Sequence, residues 1–121
     1  MFISEKGFWC VNLDEESAAR RQPGAAPVFA APAHSDLRGQ IYNLAAGADL
    51  TIPHEKWPLH LFLVLGISGS IEAEIQGRKL PLRAHTQLVI LPGVPCRLRA
   101  SSAAAFEVIS LRSHRPPGVL G

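Results

Sequence analysis

Side chains that could move a proton or hold a metal gather in one stretch of the chain, Pro53 to Cys96. His54, Glu55 and His60 open it and Cys96 closes it. An imidazole and a carboxylate so near in sequence, His60 and Glu55, are candidates for an acid and base pair. Glu72 and Glu74 have the spacing that sets two carboxylates on one face of a strand. In Ile71-Glu72-Ala73-Glu74-Ile75, though, the apolar residues take the other face and form the natural core set. The two acids are therefore expected in solvent, with Arg78 able to pair across the hairpin. Arg97 and Arg99 alternate likewise, which reads either as a solvated face or as an anion site. His34 and His114 are expected in a loop and a tail, and His85 where a strand starts at a turn. Cys10 and Cys96, the two cysteines, form neither a disulfide framework nor a metal knuckle. No glycine-rich phosphate loop, nucleophile elbow or Ser/His/Asp set is discernible.

The elements that must position these residues read as strands. Leu61 to Leu65 is an apolar run followed by Gly66 and Gly69; Ile71 to Ile75 alternates into a Gln76-Gly77 turn. Arg78 to Leu82 returns from that turn, and Leu88 to Leu91 is halted by Pro92-Gly93-Val94-Pro95. Short strands at near-even spacing, punctuated by Gly and Pro, mark a small antiparallel sandwich or barrel. No stretch of comparable length keeps a 3.6-residue apolar period, so the fold class is all-β. Ahead of this core come a strand at Phe8 to Val11, a brief helix over Glu15 to Arg21 capped by Asp14, and an Ala/Pro-rich arm from Ala25 to Ala33. Val28-Phe29-Ala30 can pair at a sheet edge. Asp36 to Leu44 alternates Leu37, Gly39, Ile41, Asn43 against Arg38, Gln40, Tyr42, Leu44. Leu50 to Ile52, Arg97 to Arg99 and Phe106 to Leu111 complete the strands. The chain divides into an arm over 1–35, a barrel over 36–112 and a tail over 113–121.

At 121 residues, 47% hydrophobic and 18% charged, this is one globular domain with a single core. A net charge of +2 with scattered arginines gives no reason to expect nucleic acid as a partner. No apolar run approaches the roughly 20 residues that span a bilayer. The N-terminus lacks a basic segment leading into an apolar one, so a signal peptide is not expected. The expected location is cytoplasmic, with free thiols.

The residues LGISGSIEAEIQG and HTQLVILPGVPC resemble the two motifs of the cupins. The resemblance covers Gly47 to Leu111 and implies a small cupin-type antiparallel β-barrel, or jelly roll, with an N-terminal arm and one short helix. In the family the first motif is G-x5-H-x-H-x3-4-E-x6-G. Anchored on Gly69, it puts Phe62 at the glutamate, and Glu55 and Trp57, or Lys56 and Pro58, at the histidines. The second, G-x5-P-x-G-x2-H-x3-N anchored on Gly93, puts His85 at the first glycine, Leu91 at the proline, Cys96 at the histidine and Ala100 at the asparagine. None of the four residues that hold the family's metal is kept.

Two kinds of site are compatible with that pattern. In one, Glu55, Trp57, His60, Phe62 and Cys96 line a metal-free pocket for a small, partly apolar molecule, with flat rings where ligands once stood. In the other, a displaced centre forms from His54, His60 and Cys96, with Glu55 or water as a fourth ligand. Such a set would hold a divalent ion such as zinc, iron, manganese or nickel. His60 shares the inward parity of Phe62, since side chains alternate along a strand. The first site implies a binding module without a cofactor. The second, or a His60/Glu55 acid–base pair, implies a cupin-type enzyme of the isomerase, epimerase, cyclase or dioxygenase kind. The resemblance and the apolar arm also imply a homodimer.

Overall fold

The computed structural model of the chain describes residues 2–5, 8–15, 24–31 and 34–112, and side chains over 12–15 and 37–112. Eleven strands are present among the described residues: β1 (Phe2–Glu5), β2 (Phe8–Val11), β3 (Gly24–Ala31), β4 (His34–Leu44), β5 (Asp49–Thr51), β6 (His60–Ser68), β7 (Ile71–Ile75), β8 (Arg78–Leu82), β9 (Gln87–Ile90), β10 (Cys96–Ala100) and β11 (Ala104–Arg112). They form a five-stranded sheet in the order β3-β4-β11-β6-β9, a four-stranded sheet in the order β5-β10-β7-β8, and a hairpin of β1 and β2. Every pairing is antiparallel. A helical turn covers residues 13–15, begun by the Asn12 side chain, whose Oδ1 accepts the Glu15 N–H at 2.9 Å. The rest of the expected helix over Glu15 to Arg21, and His114 with the tail, lie outside the described residues. No helix among the described residues is long and apolar enough to cross a membrane.

The core lies between the two larger sheets. From the five-stranded side come Phe62, Val64, Ile90, Phe106 and Val108; from the four-stranded side come Ile71, Ala73, Leu82, Cys96, Leu98 and Ala100. Strict alternation builds it: on β7 Ile71 and Ala73 are buried while Glu72 and Glu74 are exposed. The two acids therefore face solvent as expected. Register on one side sets Arg99 and Arg97 opposite them on β10. On the other side it is Lys79, rather than Arg78, that faces Glu74. Arg97 also reaches Asp49 at 3.7 Å, so the Arg97/Arg99 face belongs to a solvated charge lattice.

Two glycines are dictated by close approach. A Cβ on Gly66 would overlap the Arg83 carbonyl oxygen, and one on Gly69, at φ +72°, would overlap the Ala103 carbonyl oxygen. Gly66 lets the turn before β9 lie against β6, where it donates to Thr86 O and accepts from His85 N, both at 2.9 Å. His85 takes a left-handed φ of +67° in that turn, ahead of β9. Phe29 and Ala30 pair with Gly39 and Arg38 at the sheet edge, so β3 wraps its own barrel. His34 opens β4 instead of sitting in a loop.

Candidate functional site

Parity fixes which side chains reach the open end of the barrel. On the inner face of the five-stranded sheet, register aligns Arg38, Ser110, Phe62 and Ile90 as one rung; Gln40, Val108, Val64 and Leu88 form the next. His60 and Arg112 are opposed one rung further out. Across from them stand Leu50 of the smaller sheet and Ile52 just past β5, and residues of the loop from Pro53 to Leu59 line both cavities. The result is a cavity of about 240 Å³ between the sheets, floored by Phe62 and Val108 and edged by Gln40, Tyr42 and Ser110. A second cavity of about 260 Å³ adjoins it at the rim, among Trp57, Leu59, His60 and Arg112. Arg38, Lys56 and Trp57 line both.

Trp57 is the hinge between the two spaces. Its N–H donates to Pro53 O at 3.2 Å, and its own carbonyl accepts from His60 N at 3.0 Å, so the loop turns tightly around it. Its ring lies 5.1 Å from the His60 ring, tilted by 60°. The Arg38 guanidinium sits over the Trp57 ring, 5.2 Å from its centroid, a cation–π distance. Deeper in, Tyr42 stacks on Phe106 with centroids 5.3 Å apart, and its hydroxyl donates to Gln40 Oε1 at 2.7 Å. Burial pushes the Tyr42 phenol up from its ordinary value, so it stays protonated as a donor at neutral pH.

Of the residues expected in the pocket, Trp57, His60 and Phe62 are there, and two are not. Glu55 does not line either cavity: its side chain is 90% exposed, with Oε1 3.9 Å from His54 Nε2. Loop carboxylates stay in water unless something repays their desolvation. Cys96 is packed into the core of the opposite sheet, 3% exposed, with its carbonyl accepting from Ile52 N. Burial raises its thiol to about 11, so it is a protonated small hydrophobe at neutral pH. His54 turns toward the Ile52 carbonyl, 3.4 Å from Nδ1. His54, His60 and Cys96 thus occupy a loop, a rim and a core, and no group of three His, Cys, Asp or Glu among the described residues converges as metal ligands. The donors expected for a displaced metal centre are therefore not brought together in one place. Missing from the sequence reading were Arg38, Gln40, Tyr42, Lys56, Ser110 and Arg112. The alternation of Arg38, Gln40 and Tyr42 was the available signal.

No protein-family model matches the chain, and no curated protein does. Solved structures do. The Cupin_2 domain of an XRE family transcriptional regulator from Enterobacter cloacae is 23% identical with a TM-score of 0.67, over 75% of this chain and 97% of that one. A cupin-2 domain containing protein from Shewanella frigidimarina is 14% identical with a TM-score of 0.67, over 84% and 94%. KdgF from a Halomonas species is 21% identical with a TM-score of 0.60, over 73% and 79%. Identities this low speak to architecture alone, and on that ground the chain carries the cupin fold.

Proposed function

We propose that this chain is a small-molecule-binding cupin whose site is the barrel mouth around Trp57, working without the family's usual metal. The observation that carries the reading is the cavity between the sheets, in which apolar Phe62, Val108 and Trp57 meet the polar groups of Gln40, Tyr42 and Ser110. A concave space in which polar groups converge beside apolar side chains is what a ligand site needs. An enzyme using His60 and Glu55 as acid and base has less support, because the Glu55 carboxylate faces solvent away from either cavity. A homodimer belongs to the same proposal: Val89 and Leu111, 46% and 45% exposed, share the outer face of the larger sheet with Leu61, Leu63 and Leu65. So does a reducing, cytoplasmic setting, in which the Cys96 thiol would persist.

A thermal-shift screen of a metabolite library tests the binding reading. At least one compound is expected to raise the melting temperature of the wild type and to lose that effect in Trp57→Ala. Compounds that stabilise Trp57→Ala as well as the wild type would place the site elsewhere.

A further inference from the structure

The charge of the mouth is one-sided. Arg38 and Lys56 line both cavities and Arg112 lines the outer one, whereas among the described residues no Asp or Glu lines either. Among the described residues neither Arg38 nor Lys56 enters an ion pair; Arg38 is held by the Trp57 ring. A guanidinium held by its face keeps its in-plane N–H donors available, the fork that matches a carboxylate with two parallel bonds. Arg38 and Lys56 are both exposed at the rim, where a ligand's anionic group can reach them. Beside this charge the mouth offers Ser110 and Gln40 as neutral hydrogen-bonding groups and Trp57 as a flat apolar surface.

Resting on the reading of the mouth as a ligand site, we propose that its ligand is a small organic carboxylate. The carboxylate group meets Arg38, with Lys56 as the second charge, and the body lies against Trp57 and Phe62. A phosphate is the poorer match. Among the described residues neither cavity is lined by a glycine and no helix begins there, so they offer no backbone N–H cradle of the kind phosphate sites use. The size also restricts the body. The inner cavity, about 240 Å³, is below the roughly 300 Å³ at which sites for drug-sized ligands begin.

The test labels the protein with 5-fluorotryptophan, which gives one fluorine resonance for Trp9 and one for Trp57, assigned with Trp57→Phe. Benzoate and glutarate are titrated beside their neutral amides, benzamide and glutaramide, and beside inorganic phosphate. At least one carboxylate should move the Trp57 resonance and bind tenfold or more tightly than its amide. Arg38→Gln should weaken that carboxylate at least tenfold and leave the amide unchanged; Lys56→Gln, on an exposed loop where folding is not at risk, should weaken it severalfold. Amides that bind as tightly as the acids would overturn the carboxylate assignment while leaving the pocket standing. Phosphate that outcompetes both acids would replace carboxylate by phosphate. If no carboxylate moves Trp57, the class is wrong; if the compounds found by thermal shift also leave Trp57 unmoved, the pocket reading fails with it.

Discussion

Glu107 gives the sharpest test of the energetics. It lies on β11 between Ile41 of β4 and Leu65 of β6, facing outward from the barrel, and is nevertheless only 4% exposed. Its Oε2 is buried with no hydrogen-bond partner among the described residues, and burial raises its pKa above the ordinary carboxylate value. An unsatisfied buried polar group costs about 1–3 kcal/mol. Glu107→Met removes the orphaned acceptor at similar length, so the variant should be more stable by that amount at pH 7, or about 3–10 °C in melting temperature at this chain length. Glu107→Gln keeps the shape and removes only the charge. The sign with pH follows from the raised pKa. Folding favours the protonated form, so the wild type gains stability as pH falls from its folded pKa toward the ordinary, unfolded carboxylate value. The gap between wild type and Glu107→Gln should therefore be widest at neutral pH and shrink through the acid range. Differential scanning calorimetry from pH 4 to 8 reads both effects. A Glu107→Met protein that melts no higher than the wild type at pH 7, or a Glu107→Gln gap that does not change with pH, would refute the reasoning.

Cys96, with its thiol near 11 and buried, should react with an aromatic disulfide at pH 8 at least a hundredfold more slowly in the native protein than in denaturant; equal rates would mean that β10 is not packed as described. Gly66→Ala should destabilise by about 1–3 kcal/mol, because its Cβ would overlap backbone that cannot move aside, as denaturant titration would show. Gly77→Ala, where nothing lies within 4 Å, should cost only the about 1–2 kcal/mol of an alanine at a left-handed φ of +75°; a Gly66→Ala that costs nothing would remove the close-approach argument. Light scattering at micromolar concentration should give a mass near twice 13.1 kDa, and a monomer there would dismiss the proposed dimer.

The barrel was legible because its signals are local. Alternation over Ile71 to Ile75 and the glycines and prolines between strands fix where each strand runs, and the inward parity of Phe62 carried His60 with it. The site was half legible. Trp57 was found because the motif register puts its large ring where the family has a histidine. Cys96 was misassigned because a motif fixes a position along the strand and cannot show that Ile52 and Ile75 fill the space around it. Arg38, Gln40 and Tyr42 escaped for a different reason. Both faces of β4 are covered, since Ile41 is fully buried on the outer side with Leu13 packed near it. Where a strand is sandwiched, alternation reports two faces and does not say which one lines the cavity.

The place of β11 has a consequence for biosynthesis. It is the middle strand of the larger sheet, yet it follows β4 by the whole distance from Leu44 to Ala104. While the ribosome is still adding those residues, β4 and β6 each present a bare edge with no strand to join them. Neither has a local substitute, so the sheet is completed only after Arg112 has left the exit tunnel, by closure of a long loop. Nascent chains therefore hold two sticky edges for the entire interval. Overexpression should burden holding chaperones before it taxes the stability of the finished barrel.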